Sequence, residues 1–568
     1  MAGIVEQLDA GIASLFSGWN TYSTLIAIGL AGFLGWVVFD IQDADIHPLL
    51  LARQAVAAYV RQPGESAVFR SPETPHGYGL RTGLAVKPPG APAYTAGRDG
   101  DLRDVWRRVT GEIPLEKGGA PGKTGSIQTV FGKEDLTDHT IADITREINV
   151  IGKQLKEHGA KRVAVYLPNS VEFLATLFAA SFYGFSPILI PYNQPHTALV
   201  ELLNQTGADS LVAAAGSLPL TDVSKGVPGL RQLIWTVEKT SRHMDWNEVP
   251  EGIGGKVDVT VWHELVQESK TASTELPTTA AGSKPANLVF IWQEKPGAPA
   301  EIVELTQANM VAGIGALISA LPSPQRMTPS DTFLAVETFT HSYALCLTLV
   351  ALFSHATLVI NSVAAPGVEL GLATRNIAPT IIVASAETAA KLHSATTSSI
   401  TSSLKKLAHY LETRMLTAGR MPTDTFLTRL NAPKRAAVGT EPGKLRLLYV
   451  SERAGANTPP LSSNDLSDLR IYTGARVIYA LTAAKVAGAV AQTNIYDYRR
   501  GIGAQNKHSH FGLPLSSLEI KLVDTPSHKT TDDQSMGEII VSGPSVVGGE
   551  VSLGVTGKFQ NDHTLAYV

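Results

Sequence analysis

The 568-residue sequence holds one cysteine, Cys346, which excludes an internal disulfide and a cysteine-based zinc site. That suits a reducing compartment, where disulfides do not persist. Charge is also scarce: Asp, Glu, Lys and Arg make up 17% of the chain, and the formal net charge is -4. No basic field exists to displace counterions from a phosphate backbone, so nucleic acid is not an expected partner. No repeat of fixed period is found, which excludes a solenoid or collagen-like architecture. What remains is a 44% apolar chain, long enough for several cores or a few large ones. Cys346 lies in the apolar run ALCLTL and reads as a packing residue.

Between Asp9 and Asp40 there is no charged residue, and the apolar stretch from Thr24 to Phe39 extends back through Tyr22 and Trp19. A stretch of that length is feasible as a membrane anchor, placed at about residues 21–39, with Trp19, Tyr22 and Trp36 at the interfaces. A buried helix is the alternative. A secretory signal is disfavoured, because no Lys or Arg precedes the apolar stretch. Only Glu6 and Asp9 precede it and the first bases, Arg53 and Arg61, follow it, which leaves the large domain facing the cytosol. A domain facing the lumen would be open to glycosylation at Asn204-Gln205-Thr206. The expected organisation is therefore an anchor segment, 1–45, and one large domain, 46–568.

From His47 to about Ser126 the chain is rich in Pro and Gly and reads as irregular. Helical spacing follows over Ile141 to His158, then a strand at RVAVYL, a helix over Val171 to Phe182 and the run SPILIP. A second series begins at LVFIW and runs through a helix from Gln307 to Leu321, TFLAV, SYALCLTLVALF, TLVI, PTIIVAS and KLRLLYVS. Strand, helix, strand in this order predicts an α/β fold with parallel sheets and right-handed crossovers. The Ser/Thr-rich run His393 to Leu404 reads as a surface connection or a capped helix start. After Phe511, SLEIKLVD and GEIIVSGP alternate as short strands do.

Three near-motifs carry little weight. GGAPGKTGS, Gly118 to Ser126, has Lys117 where a P-loop needs glycine. His263-Glu264 lacks the second histidine of a zincin helix. His508 and His510, without further ligands, read as a solvated loop.

From Arg162 onward the order of segments resembles the adenylate-forming, AMP-binding superfamily, and HPLLLARQ with SPETPHGYGL is similar to long-chain acyl-CoA synthetases. The resemblance rests on RVAVYLPNSVEF, on Thr340-His341-Ser342-Tyr343, on Pro379-Thr380 and on GEIIVSGPSVV. It implies that family's large domain: two packed doubly wound sheets plus a small distorted β-barrel. It also implies a reaction in which ATP activates a carboxylate to an acyl-adenylate before transfer to coenzyme A.

Against that implied chemistry, the small-residue phosphate loop of the family corresponds to Trp292-Gln293-Glu294-Lys295-Pro296-Gly297. A carboxylate at Glu294 repels phosphate, and Pro296 has no N–H to donate. The family's Tyr-Gly-x-Thr-Glu corresponds to Tyr479-Ala480-Leu481-Thr482-Ala483, so the glutamate that would hold Mg²⁺ is replaced by Ala483. The family's ribose-binding aspartate corresponds to Val555. The chain ends at Tyr567-Val568, about where the family's hinge begins, so the domain carrying the catalytic lysine is expected to be missing. No catalytic residue, metal site or cofactor is therefore expected. Tyr479 and Thr482 would bond a purine or be retained for structure; His341, with Tyr343, would line an acyl pocket, or His341 would serve as a helix-cap or core residue.

The function expected is that of a membrane-anchored pseudoenzyme of lipid metabolism. It would bind a fatty acyl chain, or partner an active acyl-CoA synthetase or another lipid enzyme, at the endoplasmic reticulum or lipid droplets rather than the peroxisome. The alternative is an atypical AMP-forming fatty-acid ligase with an altered ATP and Mg²⁺ site or a second subunit.

Overall fold

The computed structural model describes residues 17–40, 43–88, 90–92, 94–113, 125–131, 135–237, 257–269, 273–278, 284–422, 438–441, 443–501 and 508–568, together with 11, 13 and 14. Seven strands form one sheet in the order Glu301–Leu305, Leu288–Trp292, Ser186–Leu189, Arg162–Tyr166, Ser210–Ala214, Gln232–Thr236 and Asp258–Val261. All neighbours are parallel except the first pair, an antiparallel hairpin. The larger sheet has 15 strands. Its parallel centre runs Arg476–Thr482, Leu447–Arg453, Ile381–Ser385, Thr332–Ala335, Thr357–Asn361 and Ile127–Phe131. Antiparallel strands from residues 491 to 567 extend it to the hairpin of Val56–Arg61 and Ala67–Arg70. The order is open: among the described residues no ladder joins its two ends.

Strand periodicity explains the layering. In Arg162–Tyr166, Val163 and Val165 point into a core shared with Phe333, Ile381 and Leu447 of the large sheet. Ala164 and Tyr166 point the other way, onto Leu199 and Leu203 of the helix His196–Thr206. The helices Val171–Tyr183, Gln307–Ser319 and Ser342–Phe353 fill the space between the sheets; all 12 residues of the last are buried, Cys346 included. Caps fix their starts: Ser170 accepts from the Phe173 amide, and Thr306 with Asn309 forms a capping box.

The stretch from His47 to Ser126 is more ordered than its composition suggests. It holds two strands and the helix Leu102–Val109, started by an Asp101–Asp104 capping box and anchored by the fully buried Trp106. Proline and glycine mark its turns, but Phe69 pairs with Ile520, so long-range pairing decides the conformation. The Ser/Thr-rich run is the end of one helix, Ala386–Ser398, and the start of another, Ser403–Thr417, capped by Ser402.

At the amino end, Thr21–Asp40 is a helix whose described side chains face solvent on every side: Leu25, Ile26, Ile28, Leu30, Phe33 and Leu34 are 54–64% exposed. Among the described residues no helix is long and apolar enough to cross a membrane. The chain is gripped just beyond this helix, where the Asp45 amide donates to the Gly419 carbonyl at 2.9 Å. The Asp45 carboxylate accepts from Tyr498 Oη at 2.8 Å and from Arg476 at 3.2 Å.

Close backbone approach explains the glycine pair of helix Gln307–Ser319. A Cβ on Gly315 would stand 2.2 Å from the Gly83 carbonyl oxygen, and one on Gly313 would stand 2.5 Å from that of Ala487. Alanine ordinarily stabilises a helix by about 1 kcal/mol relative to glycine. Here overpacking wins, and Gly315→Ala is expected to destabilise the chain by about 1–3 kcal/mol in urea unfolding. A net gain would show that the segment around Gly83 yields freely.

Candidate functional site

The parallel strands of both sheets end on a common cleft, the usual place for a site in an open α/β fold. Trp292 closes one strand and Gln293 to Ala300 form the hairpin loop behind it; Glu452 and Arg453 close another strand, and Ser385 a third. The lining runs from Trp292, Gln293 and Glu294 across Ser385 and Glu387 to the segment Ser451 to Thr458. Its volume is about 110 Å³. Clefts that hold drug-sized ligands span roughly 300–1,000 Å³.

The loop turns its polar groups toward its own chain. Gln194 Nε2 donates to Gln293 Oε1 at 2.7 Å, and the Gly297 amide donates to Gln194 Oε1 at 2.9 Å. Gln293 Nε2 closes the loop on the Ala298 carbonyl at 2.9 Å. Arg453 Nη1 donates to the Gln293 carbonyl at 2.7 Å while its guanidinium lies over the Trp292 ring, 5.2 Å from the centroid. Outside this lattice, Glu294 accepts from Asn457 Nδ2 at 2.8 Å, and Lys295 and Pro296 are exposed.

Below Trp292 lies a buried polar row. Trp292 and His341 stand with ring centroids 5.5 Å apart, and His341 Nε2 is 3.4 Å from Thr482 Oγ1. Thr482 Oγ1 itself donates to the Glu452 carbonyl at 2.8 Å. Glu337 Oε2, His341 Nδ1 and Tyr343 Oη have no hydrogen-bond partner. Burial, reinforced by the charge of Arg453, holds His341 well below its ordinary value, so it is neutral at pH 7. Arg453 approaches Glu337 to 3.7 Å, yet complete burial outweighs that attraction and raises the Glu337 carboxyl. Tyr343 packs edge-on to Tyr449 with centroids 6.4 Å apart and, like His341, does not line the cleft.

Tyr479 is spoken for by the protein. It is fully buried, stacks on Phe511 at 5.0 Å, donates to Glu452 Oε2 at 2.9 Å and accepts from the Leu461 amide at 3.1 Å. Of the two roles left open for Tyr479, this packing and these hydrogen bonds are those of a structural residue. Its neighbours Ala480 and Ala483 are also buried. Burial pushes Glu452 up to about 7, against the lowering effect of the Tyr479 hydroxyl.

The structure thus brings Trp292, Gln293, Glu294 and Gly297 together with Thr482 and His341. Val555 comes near the cleft rim, since a Cβ on Gly455 would stand 3.8 Å from Val555 Cγ1. Sequence reasoning missed Gln194, Glu337, Glu452 and Arg453. The signal was available: each stands at or just beyond the carboxyl end of a parallel strand. Of the carboxyls at the cleft, Glu294 is held by Asn457, Glu387 is paired with Lys391 at 3.1 Å, and Glu452 is bonded to Tyr479. Among the described residues no group of three or more His, Cys, Asp or Glu side chains could hold a metal.

The structure also places His510 and Asn204. His510 is buried in a strand 3.5 Å from Asp497, not in a solvated loop, and accepts from the Gly512 amide at 3.1 Å. Asn204 lies in a helix with its amide donating to the carbonyls of Val200 at 3.0 Å and Gly226 at 2.8 Å, which leaves no free amide for a glycan. Most of the P-loop-like segment, 118–124, lies outside the described residues.

Comparison with known proteins agrees with this geometry. Residues 120–291 and 302–549 match the family described as AMP-binding enzyme. A curated relative, the peroxisomal long chain acyl-CoA synthetase 7 of Arabidopsis thaliana, is 23% identical, with 72% of this chain and 56% of the relative covered. The chain thus spans about half the length of the curated relative it matches. Similar folds include the anthranilate CoA ligase AuaEII in complex with anthranoyl-AMP (TM-score 0.57, 15% identity, 85% of this chain and 79% of that one). The long-chain-fatty-acid-CoA ligase FadD1 from Archaeoglobus fulgidus gives a TM-score of 0.56 at 13% identity, covering 82% and 84%. The N-terminal domain of FACL13 from Mycobacterium tuberculosis gives 0.54 at 13%, covering 82% and 99%.

The raised Glu452 makes a signed prediction. A carboxyl at about 7 in the folded chain and about 4.3 when unfolded binds more protons folded than unfolded between those values. Its contribution is therefore present below about pH 4 and is lost as pH rises through 7. Measured by urea unfolding, the stability of the wild type minus that of Glu452→Gln should fall by the order of 3 kcal/mol from pH 4 to pH 8. A flat difference would place Glu452 in water.

Proposed function

The chain belongs to the AMP-binding enzyme family, and we propose that it acts there without adenylating a substrate, as a membrane-attached pseudoenzyme of the acyl-CoA-synthetase type. The observation that carries this reading is the occupied loop: Gln194 takes the Gly297 amide, and Arg453 and Gln293 tie the rest of the loop to the strand ends. Adenylation needs fixed N–H donors and a metal to hold the charge of the triphosphate. The loop presents Glu294 at the cleft, and the family's metal-ligating glutamate position holds Ala483, which has no oxygen to offer.

The similarity to a long chain acyl-CoA synthetase supports binding to, or partnering with, other components of acyl-lipid metabolism. An active acyl-CoA synthetase or another lipid enzyme is the proposed partner, and an acyl chain the proposed ligand. Attachment through residues 21–39 is supported by the helix Thr21–Asp40, whose exposed apolar side chains are costly to leave in water. The large domain then faces the cytosol, at the endoplasmic reticulum or lipid droplets.

The test is fatty-acid-dependent ATP–pyrophosphate exchange, with thioester formation in the presence of coenzyme A, by the purified full chain beside an active ligase. No exchange above background from a folded sample is expected. Exchange that depends on Mg²⁺ would overturn the proposal in favour of an atypical fatty-acid ligase.

A further inference from the structure

A second apolar surface lies near the root of the amino-terminal helix. The helix Ser403–Thr417 turns Leu404, Leu407 and Tyr410 outward, at 58%, 53% and 62% exposure, with the half-buried Leu411 beside them. Residues spaced by three share one side of a helix. Its inner side is used normally: Ala408, Glu412, Met415 and Leu416 are buried, and His409 reaches Asp468 of the helix Ser463–Thr473 at 3.2 Å. An apolar stripe of this kind on the outside of a packed helix is the reverse of ordinary patterning.

Two observations say what covers it. The first is position. Two residues after this helix, the Gly419 carbonyl accepts from the Asp45 amide, and a Cβ on Gly419 would stand 3.0 Å from Ala44 Cβ. At 1.5 Å per residue, the stripe lies between about 12 Å (Leu411) and about 22 Å (Leu404) along the helix from this latch. Leu49 and Leu50, four and five residues past Asp45 in the chain, are likewise 75% and 64% exposed. The second is charge. Lys405 and Lys406 flank Leu404 and Leu407, and the one acid in Ser403–Thr417, Glu412, is buried. Outward-facing leucine and tyrosine with lysine and no exposed carboxylate fit an interface of acyl chains beneath anionic headgroups.

We propose that the helix Ser403–Thr417 lies in the surface of an anionic phospholipid bilayer as a second contact beside the amino-terminal helix. The inference rests on the membrane attachment of residues 21–39 and adds an orientation to it. Two contacts, one on each side of the Asp45 latch, stop the large domain from swinging about a single tether.

The experiment labels the full chain with a nitrobenzoxadiazole probe at Leu407→Cys, at Tyr410→Cys and, for reference, at Lys153→Cys on an exposed helix of the opposite sheet layer. The thiol of Cys346, buried and pushed up to about 12, stays unlabelled. Each protein is reconstituted in phosphatidylcholine vesicles with and without phosphatidylserine and recovered by flotation. Expected are blue-shifted emission at Leu407→Cys and Tyr410→Cys, strong quenching by headgroup-level spin-labelled lipid, and neither at Lys153→Cys. Adding Lys405→Glu and Lys406→Glu should abolish the shift while the chain still floats. A floating chain with water-like emission at 407 and 410 overturns this inference alone. A chain that does not float overturns the attachment of residues 21–39 and this inference with it. A blue shift without vesicles that grows with protein concentration assigns the face to a second copy and overturns it as well.

Discussion

The guanidinium of Arg453 is the contact on which the site depends. It leaves the end of a central strand of the large sheet, donates to the carbonyl of Gln293 at the end of the smaller one, and covers the Trp292 ring. The same group is the cation nearest the buried Glu337. The two sheets, which share an apolar core, are tied at this edge by Arg453 together with Asn169, which bonds Glu337 and Phe339, and Asn457, which bonds Glu294. The hydrogen bond to a charged donor is of the stronger kind, and its geometry fixes where the hairpin loop can stand.

From that fixed loop the rest of the site follows. Trp292, pressed between Arg453 and His341, roofs the polar row of Glu337, His341 and Tyr343. His341 is kept neutral there, and the row's unpartnered buried atoms each carry a desolvation cost. Tyr479 supports the floor from below through Glu452. The cleft left above is small, and Glu294, Glu387 and Glu452 stand among its lining residues.

Much of this was legible before any coordinates. The strands at RVAVYL and LVFIW and the helix SYALCLTLVALF stand where periodicity put them, because buried parallel strands and a fully buried helix leave continuous apolar runs. Trp292, Gln293 and Glu294 were picked out through the resemblance to the family's phosphate loop. The segment from His47 to Ser126 was misread because its strands are set by pairing with residues 450 positions away, which local composition does not encode. The packing of Tyr479 was beyond the sequence for a related reason: Phe511 and Glu452, which enclose it, are remote in sequence or face it only once the strands align. Arg453 and Gln194 passed unnoticed because a single charged or amide residue at a strand end has no spacing to announce it.

The central claim is that the chain's own side chains occupy the nucleotide side of this cleft. Calorimetric titration of Mg²⁺-ATP into the folded, full-length chain tests it most directly. No saturable heat is predicted for the wild type, beside a clear isotherm from an active relative under the same conditions. Saturable, Mg²⁺-dependent binding by the wild type would contradict the account, because it would mean that the loop held by Gln194 and Arg453 opens to a triphosphate after all.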